Sequence, residues 1–230
     1  MPKRFDAVLL DVGQTLLRVE PSVGHIYADT ARAYGIDAAP EVIERAFREF
    51  WNTQRREFPD NLGMPSSEEA EREWWRGAVE WVFNSAGLME AFGPRFEPYF
   101  DELFEVFARG EVWHVYDDVV PTLDAFDRAG IRLGVVSNWD KRLGVLLDSL
   151  ELSRRFEFIV ASAGVGRRKP HPRIFEEALR RLELPADRVA HIGDSYEEDI
   201  LGAQGVGITA FHLTRPEIGL TQLASAILGE

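Results

Sequence analysis

Apolar residues along this chain gather in short continuous runs, separated by stretches with helical spacing. Five runs read as buried strands: "FDAVLLDV" (5–12), "IRLGVVSN" (131–138), "FEFIVAS" (156–162), "RVAHIGD" (188–194) and "GITAFHL" (207–213). Each is rich in Val, Ile, Leu or Phe and lacks strict apolar–polar alternation. A strand with one wet face alternates, whereas a strand covered on both faces, as in a parallel sheet, does not. Between the runs the period changes. Ile174, Phe175, Ala178, Leu179 and Leu182 recur at helical intervals behind Pro172, a residue suited to a first helical turn. "VVPTLDAFDRAG" ends on Gly130, which reads as a helix stop. Strands alternating with helices predict an open α/β sheet.

Residues 18–112 follow a different pattern. "HIYADTARAYG", "PEVIERAFREFWNTQRREF", "SSEEAEREWWRGAVEWVFNSAG" and "FEPYFDELFEVFARG" all read as helices, punctuated by Pro40, Pro59, Gly87 and Gly93-Pro94. Trp51, Trp74, Trp75 and Trp81 fall here, with Trp113 at the end. The expected organisation is a core of residues 1–17 and 113–230 with a helical insertion over 18–112. No internal repeat or low-complexity tract interrupts it.

Composition narrows the function. The 230 residues are 45% hydrophobic and 28% charged, ordinary for a globular chain with a core of useful size. There is no cysteine, which excludes disulfides, thiolate metal sites and a catalytic thiol. The net charge of -13 disfavours nucleic acid, whose phosphates need a positive face. An anionic small molecule still fits if one pocket is locally positive. The first ten residues lack the pattern of a signal peptide, and no apolar run approaches the ~20 residues of a membrane span. A cytoplasmic location is the expectation, with no membrane partner.

In open α/β sheets, ligands bind beyond the carboxyl ends of the strands. Asp11 follows the first run, and Ser137 and Asn138 end the second. Lys169 comes after the third and before a helix. Gly193, Asp194 and Ser195 follow the fourth, with Glu197, Glu198 and Asp199 behind them. Two carboxylates, a hydroxyl and an ammonium at one sheet edge are what phosphoryl transfer requires. Taken singly, each residue has a plainer reading. Asp11 alone is a turn or helix cap, Ser137-Asn138 an ordinary turn, Lys169 a surface lysine, and "GDSYEEDI" a helix start whose acids suit the dipole. His25, Tyr27, Asp29, Asp140 and Lys141 read as core or surface. His114, His171, His191 and His212 show no metal spacing, and "GVGRRK" is not a phosphate loop. The constellation, not any one residue, points to a site.

"DVGQTL", "VVSN", "RKPHPRIF" and "GDSYEEDI" resemble, in order, the four motifs of the haloacid dehalogenase-like hydrolase superfamily. The helices between resemble the cap of its first subfamily, and the core is most similar to the REG-2-like branch. The resemblance implies a Rossmann-like, doubly wound parallel sheet with an inserted helical cap domain. It implies Asp11 as nucleophile and Mg²⁺ as cofactor, held by Asp11, the Gly13 carbonyl and Asp194. Ser137 and Asn138 would bind phosphate, the latter through its backbone. Lys169 would neutralise Asp11 and the phosphate, and Asp199 would stand in a second shell or on a metal-bound water.

Gly13 departs from the pattern. Phosphatases of the superfamily place a second aspartate there, which protonates the leaving group and then activates water. Gln14 beside it cannot act as an acid. The leading expectation is a Mg²⁺-dependent phosphatase acting on a small phosphorylated metabolite through an aspartyl-phosphate. A 2-haloacid dehalogenase also lacks the second aspartate, but it lacks the "GDS" aspartate as well. A phosphonatase needs a cap lysine, and residues 18–112 hold none. A catalytically weak phosphate- or partner-binding protein is the non-enzymatic alternative. The substrate and oligomeric state are not written in the sequence.

Overall fold

A computed structural model describes residues 4–58 and 67–229. The chain divides into two compact units, one of residues 1–18 and 115–230 and the other of 19–114. Pro59, expected to punctuate the helices, lies outside the described residues.

The first unit is an α/β fold built on a five-stranded parallel sheet. Its strands are β1 (Ala7–Leu10), β4 (Arg132–Ser137), β5 (Phe158–Ala161), β6 (Val189–Gly193) and β7 (Thr209–His212), in the order β5-β4-β1-β6-β7. Two shorter strands, β2 (Leu17–Val19) and β3 (Trp113–Val115), form a separate two-stranded sheet. Register is set by pairs such as Leu10 with Val135 and with Ile192. All four residues of β1 are buried, which explains the unbroken apolar run. Successive side chains of a strand face opposite sides. Ala7 and Leu9 join the core beneath helix Pro172–Leu182, with Ile174, Phe175, Ala178 and Leu182 from that helix. Val8 and Leu10 are equally buried on the other side. Helix Val119–Arg128 contacts both β4 and the last helix, Leu220–Leu228. It ends at Ala129, and Gly130 follows with φ 64°, a left-handed turn that favours glycine.

From β1 the chain steps outward to β4 and β5, then returns across β1 to β6 and β7. The direction of winding therefore reverses at β1. Main-chain ends diverge at such a reversal and leave a crevice beyond the strands' carboxyl ends. Asp11 stands there, one residue past the strand.

The second unit consists of helices Val23–Ala33, Pro40–Glu57, Glu68–Ser85, Met89–Phe92 and Phe96–Val106. Its buried cluster draws on Tyr27, Ile43, Phe50, Phe83, Phe92, Tyr99 and Phe100. Trp74 and Trp75 contact each other and Trp51 within an aromatic network, so they serve packing. Among the described residues, no helix is long and apolar enough to cross a membrane.

Candidate active site

Five of the expected residues meet at the carboxyl edge of the first unit's sheet. Ser137, the last residue of β4, donates from Oγ to Asp11 Oδ1 at 2.9 Å. Lys169 Nζ donates to the same oxygen at 2.7 Å and to Asp199 Oδ1 at 2.5 Å. Lys169 is only 2% exposed and Asp11 only 7%, so this is an interior ion pair rather than a surface one. Asp194, one residue past β6, is half-buried. Carboxylate oxygens of Asp11, Asp194 and Asp199 lie within 4.8 Å of one another.

The remaining expected residues take supporting positions. Asn138 spends its side chain on the Lys169 loop. Its Oδ1 accepts from the Lys169 amide at 2.7 Å, and its Nδ2 donates to the Lys169 carbonyl at 3.1 Å and to Glu198 at 2.9 Å. This clip fixes the loop that carries the lysine. Gly13 has room beside it. A Cβ built there would meet only the Trp139 ring, at 3.8 Å. Asp140 turns away to Arg142, which it engages through both oxygens.

Local sequence explains how Asp199 reaches the site. Ser195 caps the following turn, accepting on Oγ from the Glu198 amide. Tyr196–Leu201 then forms a π-helix, a rare form that is frequent at functional sites. The Asp199 carboxylate folds back over the end of β6, where Oδ2 accepts from the Ser195 amide at 3.0 Å. That position requires glycine at 193, because a Cβ there would fall 2.1 Å from Asp199 Cγ.

Charges in the cluster are unevenly satisfied. Burial alone would lower the Lys169 pKa, but Asp11, Asp199 and Glu198 outweigh it and the pKa is raised. Burial works against the charge on Asp199, yet Lys169 and the His191 hydrogen bond hold its carboxyl well below the usual range. Asp11 is pushed up by burial, partly offset by Lys169 and reinforced by Asp199. Asp194 is raised to about 7 by burial, then by the charges of Asp11 and Asp199. One ammonium thus faces three carboxylates, and Asp11 and Asp194 are under-compensated. Their oxygens are hard donors with little tolerance for more negative charge. A small divalent cation such as Mg²⁺ suits that donor set.

The sequence matches the haloacid dehalogenase-like hydrolase family over residues 5–207. Haloacid dehalogenase-like hydrolase domain-containing protein 3 of Homo sapiens is 37% identical over 207 residues, 90% of this chain and 81% of the human protein. Rhythmically expressed gene 2 protein of Drosophila melanogaster is 26% identical over 89% of this chain and 81% of its own length, which fits the REG-2-like branch. Glyceraldehyde 3-phosphate phosphatase of Methanothermobacter thermautotrophicus is 39% identical over 101 residues, 41% of this chain and 42% of that protein. The crystal structure of a HAD phosphatase from Thermococcus onnurineus covers 98% of this chain and 99% of its own, with TM-score 0.67 and 24% identity. The fold and the match together make the class plain: a hydrolase on a doubly wound parallel sheet, with an aspartate at the end of its central strand. The chain belongs to the haloacid dehalogenase-like hydrolase family.

His191, which in the sequence shows only the absence of metal spacing, is fully buried and bonded to Asp199 at 2.9 Å. Its one signal was an imidazole inside an otherwise apolar strand, "VAHIG".

Proposed function

We propose that this hydrolase is a Mg²⁺-dependent phosphatase of small phosphorylated metabolites, with Asp11 as nucleophile. The observation that carries the reading is the Lys169 bridge between Asp11 and Asp199, with Ser137 on the same Asp11 oxygen. Partial similarity to a glyceraldehyde 3-phosphate phosphatase supports the substrate class.

Asp11 attacks phosphorus, a P–O bond to its carboxylate forms, and the ester P–O bond breaks, the alcohol leaving as an oxyanion that takes its proton from solvent. Lys169 and Ser137 keep the carboxylate aimed, and as its charge passes to the phosphoryl group they become donors for that group. Water then attacks the aspartyl-phosphate and releases inorganic phosphate with Asp11 restored. Asp11, Asp194 and the Gly13 carbonyl would hold the metal. A bound Mg²⁺ would neutralise Asp11 and the phosphate oxygens as they approach. The helical unit is the cap of this reading and selects the substrate. The chain itself is read as cytoplasmic.

Gly13 favours a second reading, a 2-haloacid dehalogenase, in which Asp11 displaces halide from carbon without metal. Asp194 argues against it, because a metal-free displacement has no use for a carboxylate that completes a cation site with Asp11. Phosphate release from a panel of phosphorylated metabolites, with Mg²⁺ and with chelator, separates the two. Metal-dependent release that disappears in Asp11→Asn is the expected result. Chloride release from a 2-chloro acid, insensitive to chelator, would replace the phosphatase reading with the dehalogenase. Neither product would leave a binding protein.

A further inference from the structure

His191 sits in the middle of β6 with no exposed surface. Its Nε2 lies 2.9 Å from Asp199 Oδ1. An ionised carboxylate only accepts, so Nε2 carries the hydrogen. The other nitrogen, Nδ1, is buried with no hydrogen-bond partner among the described residues. The ring therefore presents its Nε2–H to Asp199. The ring meets Phe175 edge-on, with centroids 5.3 Å apart, which fixes its plane.

The geometry points to His191 as a positioning residue: we propose that its Nε2–H orients the Asp199 carboxylate and thereby holds Lys169 against Asp11. Three donors converge on Asp199, each from a different place in the fold. Lys169 comes from the loop after β5, the Ser195 amide from the turn after β6, and His191 from within β6 itself. His191 and Gly193 lie two apart on one strand, so they share a face. The missing Cβ of Gly193 lets the carboxylate lie down on that face, and the imidazole meets it there. The lysine loop and the turn lie outside the sheet. The imidazole is the sheet's own anchor on Asp199. Without it, Asp199 turns about its side-chain bonds and Lys169 follows. No substrate or metal contact is assigned to His191, and it acts through Asp199.

The proposal rests on the phosphatase reading only for its kinetic arm, so the first experiment needs no turnover. The chain has three lysines, so ¹⁵N-lysine labelling gives a sparse ammonium spectrum. Wild type should show a slowly exchanging Lys169 resonance, since Lys169 is buried between two carboxylates. His191→Leu keeps bulk and removes the donor, and exchange should quicken at least about 10-fold. His191→Gln retains an N–H donor and should restore protection. In the kinetic arm, p-nitrophenyl phosphate with Mg²⁺ should show kcat about 10- to 100-fold lower for His191→Leu, the range expected for a lost hydrogen bond to a charged group. KM should change little, and His191→Gln should recover most of kcat.

A folded His191→Leu protein with a protected Lys169 signal and wild-type kcat would overturn the proposal. If His191→Leu does not fold, the ring-¹⁵N spectrum of wild type against Asp199→Asn decides instead. The Nε2–H tautomer with a hydrogen-bonded proton, weakened in Asp199→Asn, supports the assignment, and an Nδ1–H tautomer sinks it. Absence of turnover in wild type would remove the phosphatase reading while the lysine and histidine spectra still judge His191.

Discussion

In the proposed phosphatase reading, Gly13 is the residue on which catalytic power turns. General acid catalysis typically contributes ~10²–10⁴-fold, and the slot for the acid is empty. The loss should fall on alkyl phosphates, whose leaving groups are strongly basic, and spare aryl and acyl phosphates. We expect kcat/KM under saturating Mg²⁺ to fall steeply with leaving-group pKa across a graded series of esters. Gly13→Asp should raise alkyl phosphate turnover selectively, by about 10-fold or more, since only the Trp139 ring stands near the new Cβ. A flat wild-type series would mean that another residue supplies the proton. Asp194 carries a second expectation, for the metal-free protein. Its folded pKa is about 7 against an ordinary 3.8, so the native state binds the extra proton in that interval. Its contribution to stability is therefore full below about 4 and is lost as pH rises through 7, on the order of a few kcal/mol. Denaturation at pH 5 and pH 8 should show the fall, and Asp194→Asn or added Mg²⁺ should flatten it. Identical slopes in wild type and Asp194→Asn would contradict it. These residues were legible because each ends an apolar run. His191 was not, since one imidazole in a strand has no periodicity to betray it, and the clip made by the Asn138 side chain depends on a loop 31 positions away in sequence.

At the scale of elements, β6 and the turn after it work as one part. The strand supplies His191 and Gly193, the turn supplies Asp194 and Ser195, and the π-helix returns Asp199 onto the strand. Gly193→Ala tests this unit. The new methyl would lie 2.1 Å from Asp199 Cγ, a distance no relaxed contact tolerates. Overpacking in a tight core typically costs about 1–3 kcal/mol. Because Asp199 yields before the strand does, the variant should lose activity more than its stability loss explains. Chemical denaturation beside kcat for p-nitrophenyl phosphate measures both, and a stable variant with normal kcat would separate Gly193 from Asp199. The strands themselves were readable because burial on both faces leaves continuous Val, Ile and Leu. The π-helix was not. "SYEEDIL" reads as an ordinary acidic helix start, and the wider turn follows from where Asp199 must go.

For the whole molecule, the inserted helices matter because they carry a core of their own. The buried cluster that includes Tyr27, Phe50, Phe83, Phe92 and Phe100 contains only residues between 27 and 103. Aromatic pairs tie one helix to another: Tyr27 stacks on Phe83, Phe83 meets Tyr99 edge-on, and Phe50 meets Trp74 and Trp81. Arg76 adds an ion pair to Glu97 across two helices. A unit of this length is well above the ~40 residues below which disulfides or metals are usually needed. Residues 19–114, expressed alone, should therefore fold with a cooperative thermal transition and a near-ultraviolet signal from its tryptophans. Helical far-ultraviolet dichroism without that near-ultraviolet signal, together with dye binding, would describe a loose bundle and refute autonomous folding. The functional consequence follows from the division of labour. Every side chain placed in the candidate site lies in the other unit, at the end of a parallel sheet with separate packing. In the proposed reading, where the helical unit selects the substrate, two cores that fold separately would let residues of that unit change without disturbing Asp11, Lys169 or Asp194. Substitutions on the exposed surface of the helical unit should then alter KM among phosphorylated metabolites while leaving the p-nitrophenyl phosphate kcat within about two-fold of wild type. Substitutions that lower that kcat 10-fold or more without unfolding the protein would show the chemistry to depend on the inserted unit after all.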